Sequence, residues 1–231
     1  MENKVENKRE FTAAGKTVAV YPATAPGAPV IYLNTFGREG DAVCRALQGT
    51  PCPDFSLVAI SGLAWDHDMA PWEIPPICEG DTPCTGGADD YLALLTREIL
   101  PRAEALLLGQ PGWRGLAGYS LGGLFAVYAI YKTALFSRIA SVSGSLWFPE
   151  FKEYVLSQPP PGTTTRLYFS LGDKECRTQN PYLKTVQTRT GEIEAFFAQH
   201  GADTVFKLNP GNHYKNAAQR TAAGIIWLLG R

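Results

Sequence analysis

The chain alternates between short runs of β-branched and aromatic residues and longer stretches with apolar residues at helical spacing. Strand patterns fall at residues 17–21 (TVAVY), 30–33 (VIYL), 55–60 (FSLVAI), 115–119, 138–142 (RIASV), 165–171 (TRLYFSL) and 204–208 (TVFKL). Several are apolar without clean alternation, which suits strands covered on both faces of a parallel sheet. Helix patterns lie between them at 41–47, 88–108, 121–132, 149–156, 182–200 and 214–229. Pro101 marks a kink or break in the second of these. The 121–132 segment is almost wholly apolar and is predicted to be buried. Alternation of strand and helix over the whole length predicts one α/β domain with a mainly parallel central sheet, helices on both faces and no separate lid domain. That domain spans 13–231, and the polar residues 1–12 form a flexible lead-in. The longest non-periodic stretch, 62–87, holds Trp65 and Trp72; loops of this length in a compact domain serve function or are disordered.

Composition narrows the partners. The 231 residues are 45% hydrophobic and 19% charged, a globular balance. A formal net charge of −1 points away from nucleic acid and from an anionic membrane surface. No run approaches the roughly 18 apolar residues of a membrane span, and the segment from Met1 to Glu10 lacks a secretory apolar stretch, so a cytoplasmic location is expected. The five cysteines, without C-x-x-C spacing, are expected to be reduced thiols. Cys78 and Cys84 form the only pair close enough in sequence to invite a loop disulfide.

Chemistry enters at Gly118-Tyr119-Ser120-Leu121-Gly122, a G-x-S-x-G pentapeptide. Alone it is a weak signal in a glycine-rich chain. Here a short strand precedes it and an apolar helix follows at once, which is the strand–turn–helix setting of a nucleophile elbow. The sharp turn needs small neighbours, supplied by Gly118, Gly122 and Gly123, and it sets Ser120 at a helix N-terminus where negative charge is favoured. A plain helix-capping serine is the bland alternative.

A serine hydroxyl needs a base. His213 follows the last strand, in Asn209-Pro210-Gly211-Asn212-His213, and loops after strand C-termini gather at one sheet edge with Ser120. His200 instead ends a helix before Gly201 and reads as a cap residue. The acid is expected after a strand between serine and histidine, where Gly172-Asp173-Lys174-Glu175 offers two carboxylates. Glu175 is preferred, with Asp173 as the alternative that bonds turn backbone. An oxyanion hole is expected from the backbone N–H of Leu121 and a second N–H, that of Thr35 or Phe36.

The run Gly118-Tyr119-Ser120-Leu121-Gly122-Gly123-Leu124-Phe125-Ala126, the run Ser141-Val142-Ser143-Gly144-Ser145-Leu146-Trp147, and the Gly172–Glu175 and Asn209–His213 turns resemble the esterase D / enterochelin-esterase-like branch of the α/β-hydrolases. The resemblance extends over nearly the whole chain from about Thr17. It implies cleavage of carboxylic esters such as siderophore trilactones, feruloyl or acetyl esters, or S-formylglutathione, with acyl transfer to sugars in a few relatives. The family often carries His-Gly in the oxyanion loop, where this chain has Asn34-Thr35. The expected function is therefore a serine carboxylic-ester hydrolase acting on a small-molecule ester, as monomer or homodimer, with no metal or organic cofactor. An acyltransferase with the same triad, or a non-catalytic binding module on this fold, are the alternatives.

Asp66-His67-Asp68 resembles a metal cluster on paper, but adjacent loop residues point in different directions, and no metal site is expected. Trp65, Asp68 and Trp72 in the long loop, and Trp147 after the serine-rich strand, are candidates for substrate contact.

Overall fold

In a computed structural model of the protein, described from Lys4 to Gly230, a hairpin of β1 (Arg9–Ala13) and β2 (Lys16–Tyr21) leads into β3 (Val30–Asn34). Then come α1 (Gly40–Leu47), β4 (Ser56–Ser61), the short α2 (Trp65–Asp68) and a small ribbon of β5 (Glu73–Ile74) and β6 (Cys84–Thr85). A continuous helical run follows: α3 (Ala88–Leu94), a widened π-type turn over Leu95–Ile99, and α4 (Leu100–Glu104). The remainder alternates strictly: β7 (Arg114–Tyr119), α5 (Leu121–Ala129), β8 (Arg138–Val142), α6 (Phe151–Leu156), β9 (Arg166–Gly172), α7 (Val186–Gln199), β10 (Asp203–Asn209) and α8 (Ala217–Leu229).

Eight strands form one sheet in the order β1-β2-β4-β3-β7-β8-β9-β10. Every neighbouring pair from β4 to β10 is parallel; β1–β2 and β2–β4 are antiparallel. Both faces are covered, which is why the strand sequences lack alternation. In β3, Val30 and Tyr32 join the core beneath α3, α4, α5 and α6, while Ile31 and Leu33 join the opposite core beneath α1 and α8. Helix α5 is buried at every position, as its apolar sequence predicts. No helix among the described residues is long and apolar enough to cross a membrane.

The lead-in expected over 1–12 is corrected by this arrangement; Met1–Asn3 lie outside the described residues. Lys4 is buried, and its ammonium donates to the carbonyl of Phe55. Residues 9–13 are an edge strand joined to β2 by a two-residue loop, Ala14 (φ 46°) and Gly15 (φ 77°). Two left-handed residues in a row make the tight hairpin turn whose twist matches its strands. The 88–108 helix ends earlier than its pattern, at Glu104. Its π-type turn lies just before Pro101, which lacks an N–H and crowds the carbonyl four residues back.

Candidate active site

Strand β7 sits in the middle of the sheet, between β3 and β8, so its C-terminal end opens on the centre of one sheet edge. The chain turns there at Ser120, which takes φ 57° and ψ −124°, and α5 starts at the next residue. Such a backbone costs energy for a residue with a side chain and persists only where its surroundings enforce it. Here the Ser120 N–H donates to the Val142 carbonyl at 3.1 Å. A side chain on Gly118 would collide with the Gly122 backbone, and one on Gly123 would come within 2.9 Å of Gly144 Cα and of Ser141 Oγ. The elbow closes only because these positions are bare.

His213 reaches Ser120 from the loop after β10, with Nε2 3.1 Å from Ser120 Oγ. Its Nδ1 lies 2.8 Å from Glu175 Oε2, in the turn after β9. An ionised carboxylate only accepts, so Nδ1 carries the proton and Nε2 is left as an acceptor facing the serine. Glu175 Oε1 accepts from the Gly172 N–H (2.5 Å) and the Ser143 hydroxyl (2.8 Å), and lies 3.2 Å from the Arg220 guanidinium. Burial is the largest influence on this carboxyl and pushes it up. The His213 hydrogen bond, the Gly172 N–H and the Ser143 hydroxyl together outweigh it, and Glu175 sits below the ordinary carboxylate value. Asp173 does not join them: its Oδ1 accepts from the Gly211 N–H at 2.7 Å and ties the two turns together.

Leu121 opens α5, where the first N–H groups have no partner within the helix. Neither its N–H nor that of Phe36 meets an acceptor among the described residues, and both residues line the cavity above Ser120. Thr35 is corrected as an oxyanion donor, since its N–H donates to the Ile60 carbonyl at 2.9 Å.

That cavity encloses about 770 Å³. Trp65 and Trp147 line it, with the exposed rings of Phe36 and Tyr214. Phe36 meets Trp65 edge to face at 5.5 Å. Two candidates for substrate contact are corrected. Asp68 is buried in an ion pair with Lys16 and accepts from the Ala64 N–H at 2.8 Å, holding the base of the loop. Trp72 packs against Phe148, Phe151 and Tyr154, and its Nε1 donates to the Pro149 carbonyl at 3.2 Å. Neither lines the cavity. The Asp66-His67-Asp68 side chains go to three separate partners, Thr82, Thr85 and Lys16. Cys78 and Cys84 are free thiols on the cavity wall, and burial pushes that of Cys84 up to about 11.

Sequence reasoning missed the polar groups behind Glu175. Ser143 and Arg220 are 1% and 3% exposed, and Tyr119 donates to the His213 carbonyl at 2.5 Å. Arg220 did leave a signal: it is in step with Gly224 and Leu228 on the buried stripe of α8, a place where an unpaired charge is costly.

A mainly parallel sheet with helices on both faces and a serine on a central strand-to-helix elbow is the architecture of the α/β-hydrolases. The Esterase family model, described as "Putative esterase", matches residues 59–221, and the chain belongs to that family. It is a carboxylic-ester hydrolase. The chain is 25% identical over 224 residues to the uncharacterised protein YbbA of Bacillus subtilis (strain 168), covering 91% of this chain and 89% of that one. Among solved structures it resembles the siderophore hydrolase EstA of Aspergillus nidulans (TM-score 0.74, 18% identity, 96% and 93% of the two chains). It also resembles an IroE-like serine hydrolase of Shewanella oneidensis (TM-score 0.76, 20% identity, 96% and 79%).

Proposed function

We propose that the protein cleaves a small-molecule ester through an acyl-enzyme on Ser120, with His213 as base and Glu175 as the acid that orients it. The observation that carries this reading is the unbroken line from Ser120 Oγ to His213 Nε2 (3.1 Å) and from His213 Nδ1 to Glu175 Oε2 (2.8 Å). In this reading Ser120 attacks the ester carbonyl while His213 takes its proton. The Leu121 and Phe36 N–H groups hold the oxyanion, and His213 returns the proton to the departing alcohol. Water, activated by the same histidine, then releases the acid.

The lining suggests the substrate. Phe36, Trp65, Trp147 and Tyr214 give an aromatic wall, and the carboxylates of Glu39, Asp66 and Asp81 share the lining, with no lysine or arginine in it among the described residues. Such a surface favours an ester whose reacting half is aromatic and uncharged over an anionic one. A siderophore-type ester with aromatic acyl groups fits this wall, and the likeness to a siderophore hydrolase adds support.

The test is Ser120→Ala, with hydrolysis of an aryl ester followed beside fluorophosphonate labelling of the wild type. Removal of the nucleophile is expected to lower kcat at least about a thousandfold with the thermal midpoint unchanged. Full turnover in the variant, or an unlabelled Ser120 in an active wild type, overturns the reading. A panel of aryl-acyl, short alkyl and carboxylate-bearing acyl esters reports the substrate class, with the anionic members expected to be slowest.

A further inference from the structure

Four separate parts of the chain converge on the guanidinium of Arg220. Its Nη1 lies 3.2 Å from Glu175 Oε1, 3.2 Å from Ser143 Oγ and 3.4 Å from Tyr119 Oη, and its Nη2 lies 3.4 Å from the Pro210 carbonyl. These contacts come from the turn after β9, the residue that follows β8, the residue before Ser120, and the loop that carries His213. Tyr119 extends the set by donating to the His213 carbonyl. The guanidinium and the Glu175 carboxylate are 3% and 5% exposed, so neither charge is solvated by bulk water.

A packing role does not account for this. Position 220 lies on the buried stripe of α8, where an apolar side chain avoids the cost of burying a charge. A planar fork with several donors is the group that bonds a carboxylate, two hydroxyls and a carbonyl at once. Glu175 has two oxygens, and only one faces His213. Fixing Oε1 from behind decides where Oε2 points, and fixing Pro210 and Tyr119 from the same side decides where the His213 loop sits.

We propose that Arg220 is a positioning residue that clamps the acid turn and the base loop to each other, so that Glu175 presents one oxygen to His213 and His213 presents Nε2 to Ser120. The proposal rests on the reading of Ser120, His213 and Glu175 given above. Arg220 touches no reacting atom and acts only through Glu175, Tyr119 and the His213 loop.

The double-mutant cycle Arg220→Met, Glu175→Gln and both together tests it, with aryl-ester kinetics and the thermal midpoint as readouts. Arg220→Met is expected to lower kcat about 10- to 100-fold while KM stays within about twofold. In the Glu175→Gln background the same change is expected to cost less than about threefold, because the oxygen it aims is already compromised. Arg220→Lys keeps the charge and is expected to recover part of the loss. Equal losses in both backgrounds, or a change in KM alone, overturn the clamp and assign Arg220 to structure only. Should Arg220→Met not fold, the charge-balanced double variant against Glu175→Gln, and Arg220→Lys against wild type, carry the same comparison. In that case Arg220→Lys with wild-type kcat overturns the proposal. Wild-type turnover in Ser120→Ala would sink the catalytic reading itself, independently of the Arg220 result.

Discussion

Asp173 and Glu175 stand two residues apart in one turn, and their contacts give them different tasks. Glu175 turns inward to His213, while Asp173 receives the Gly211 N–H and holds the turn after β10 in place. Glu175→Gln keeps the shape but gives His213 a partner that can offer N–H as well as oxygen, so the imidazole tautomer is no longer enforced. We expect it to lower kcat at least about a hundredfold. Asp173→Asn still presents an oxygen to Gly211, so its cost is expected to be about 1 kcal/mol of stability with kcat within about tenfold of wild type. Steady-state kinetics and urea unfolding of both variants check this; a larger loss of kcat in Asp173→Asn transfers the acid role to Asp173. That Glu175 rather than Asp173 turns toward His213 was legible in the sequence from its spacing behind β9. The bonds of Arg220, Ser143 and Tyr119 were not, because a polar residue inside a helix or strand does not reveal which distant loop it meets.

The elbow shows what a strand and a helix impose on each other. Helix α5 starts directly at the end of β7 and stays against the turn after β8, with Gly123 facing Gly144. A methyl at Gly123 would stand 2.9 Å from Gly144 Cα and Ser141 Oγ, so α5 must lift from the sheet. Gly123→Ala is therefore expected to cost about 1–3 kcal/mol, read as a lower urea midpoint with unchanged slope. Activity is expected to fall as well, since Leu121 and its N–H move with the helix. An unchanged midpoint would show that the contact relaxes freely. Elements of this kind were readable because the motif and its flanks carry the geometry in their residue types. The hairpin of β1 was not: its turn uses Ala14, a residue that seldom takes a left-handed backbone, where asparagine or aspartate would have announced the turn. The 62–87 segment misled differently. Its tryptophans look alike in sequence, yet the α2 turn sends Trp65 to the cavity while Trp72 goes into the α6 packing.

At the scale of the molecule, three carboxyl groups from separate regions, among the described residues, sit below their ordinary values in the folded state. At Asp41 the chief cause is the Tyr21 hydroxyl, with Lys8 adding to it. At Asp54 burial pushes upward as the largest single influence, but the Thr24 and Ala25 bonds and the Lys4 charge prevail. Glu175 is the third, and the most buried. Each group contributes stability that is fully present above its unfolded value, near 4, and lost as pH falls through the lower folded value, because the unfolded chain takes up the proton first. Asp54 ties Thr24, Ala25 and Lys4 to the approach to β4, so its protonation loosens that corner of the fold. The urea midpoint is expected to be nearly level from about pH 7 to about pH 5 and to fall below about pH 4.5. Asp54→Asn removes one of the three titrating groups, so it should be less stable at neutral pH and lose less on acidification. A midpoint that stays level down to about pH 3, or an acid slope in Asp54→Asn equal to that of wild type, would remove these carboxylates from the account of stability.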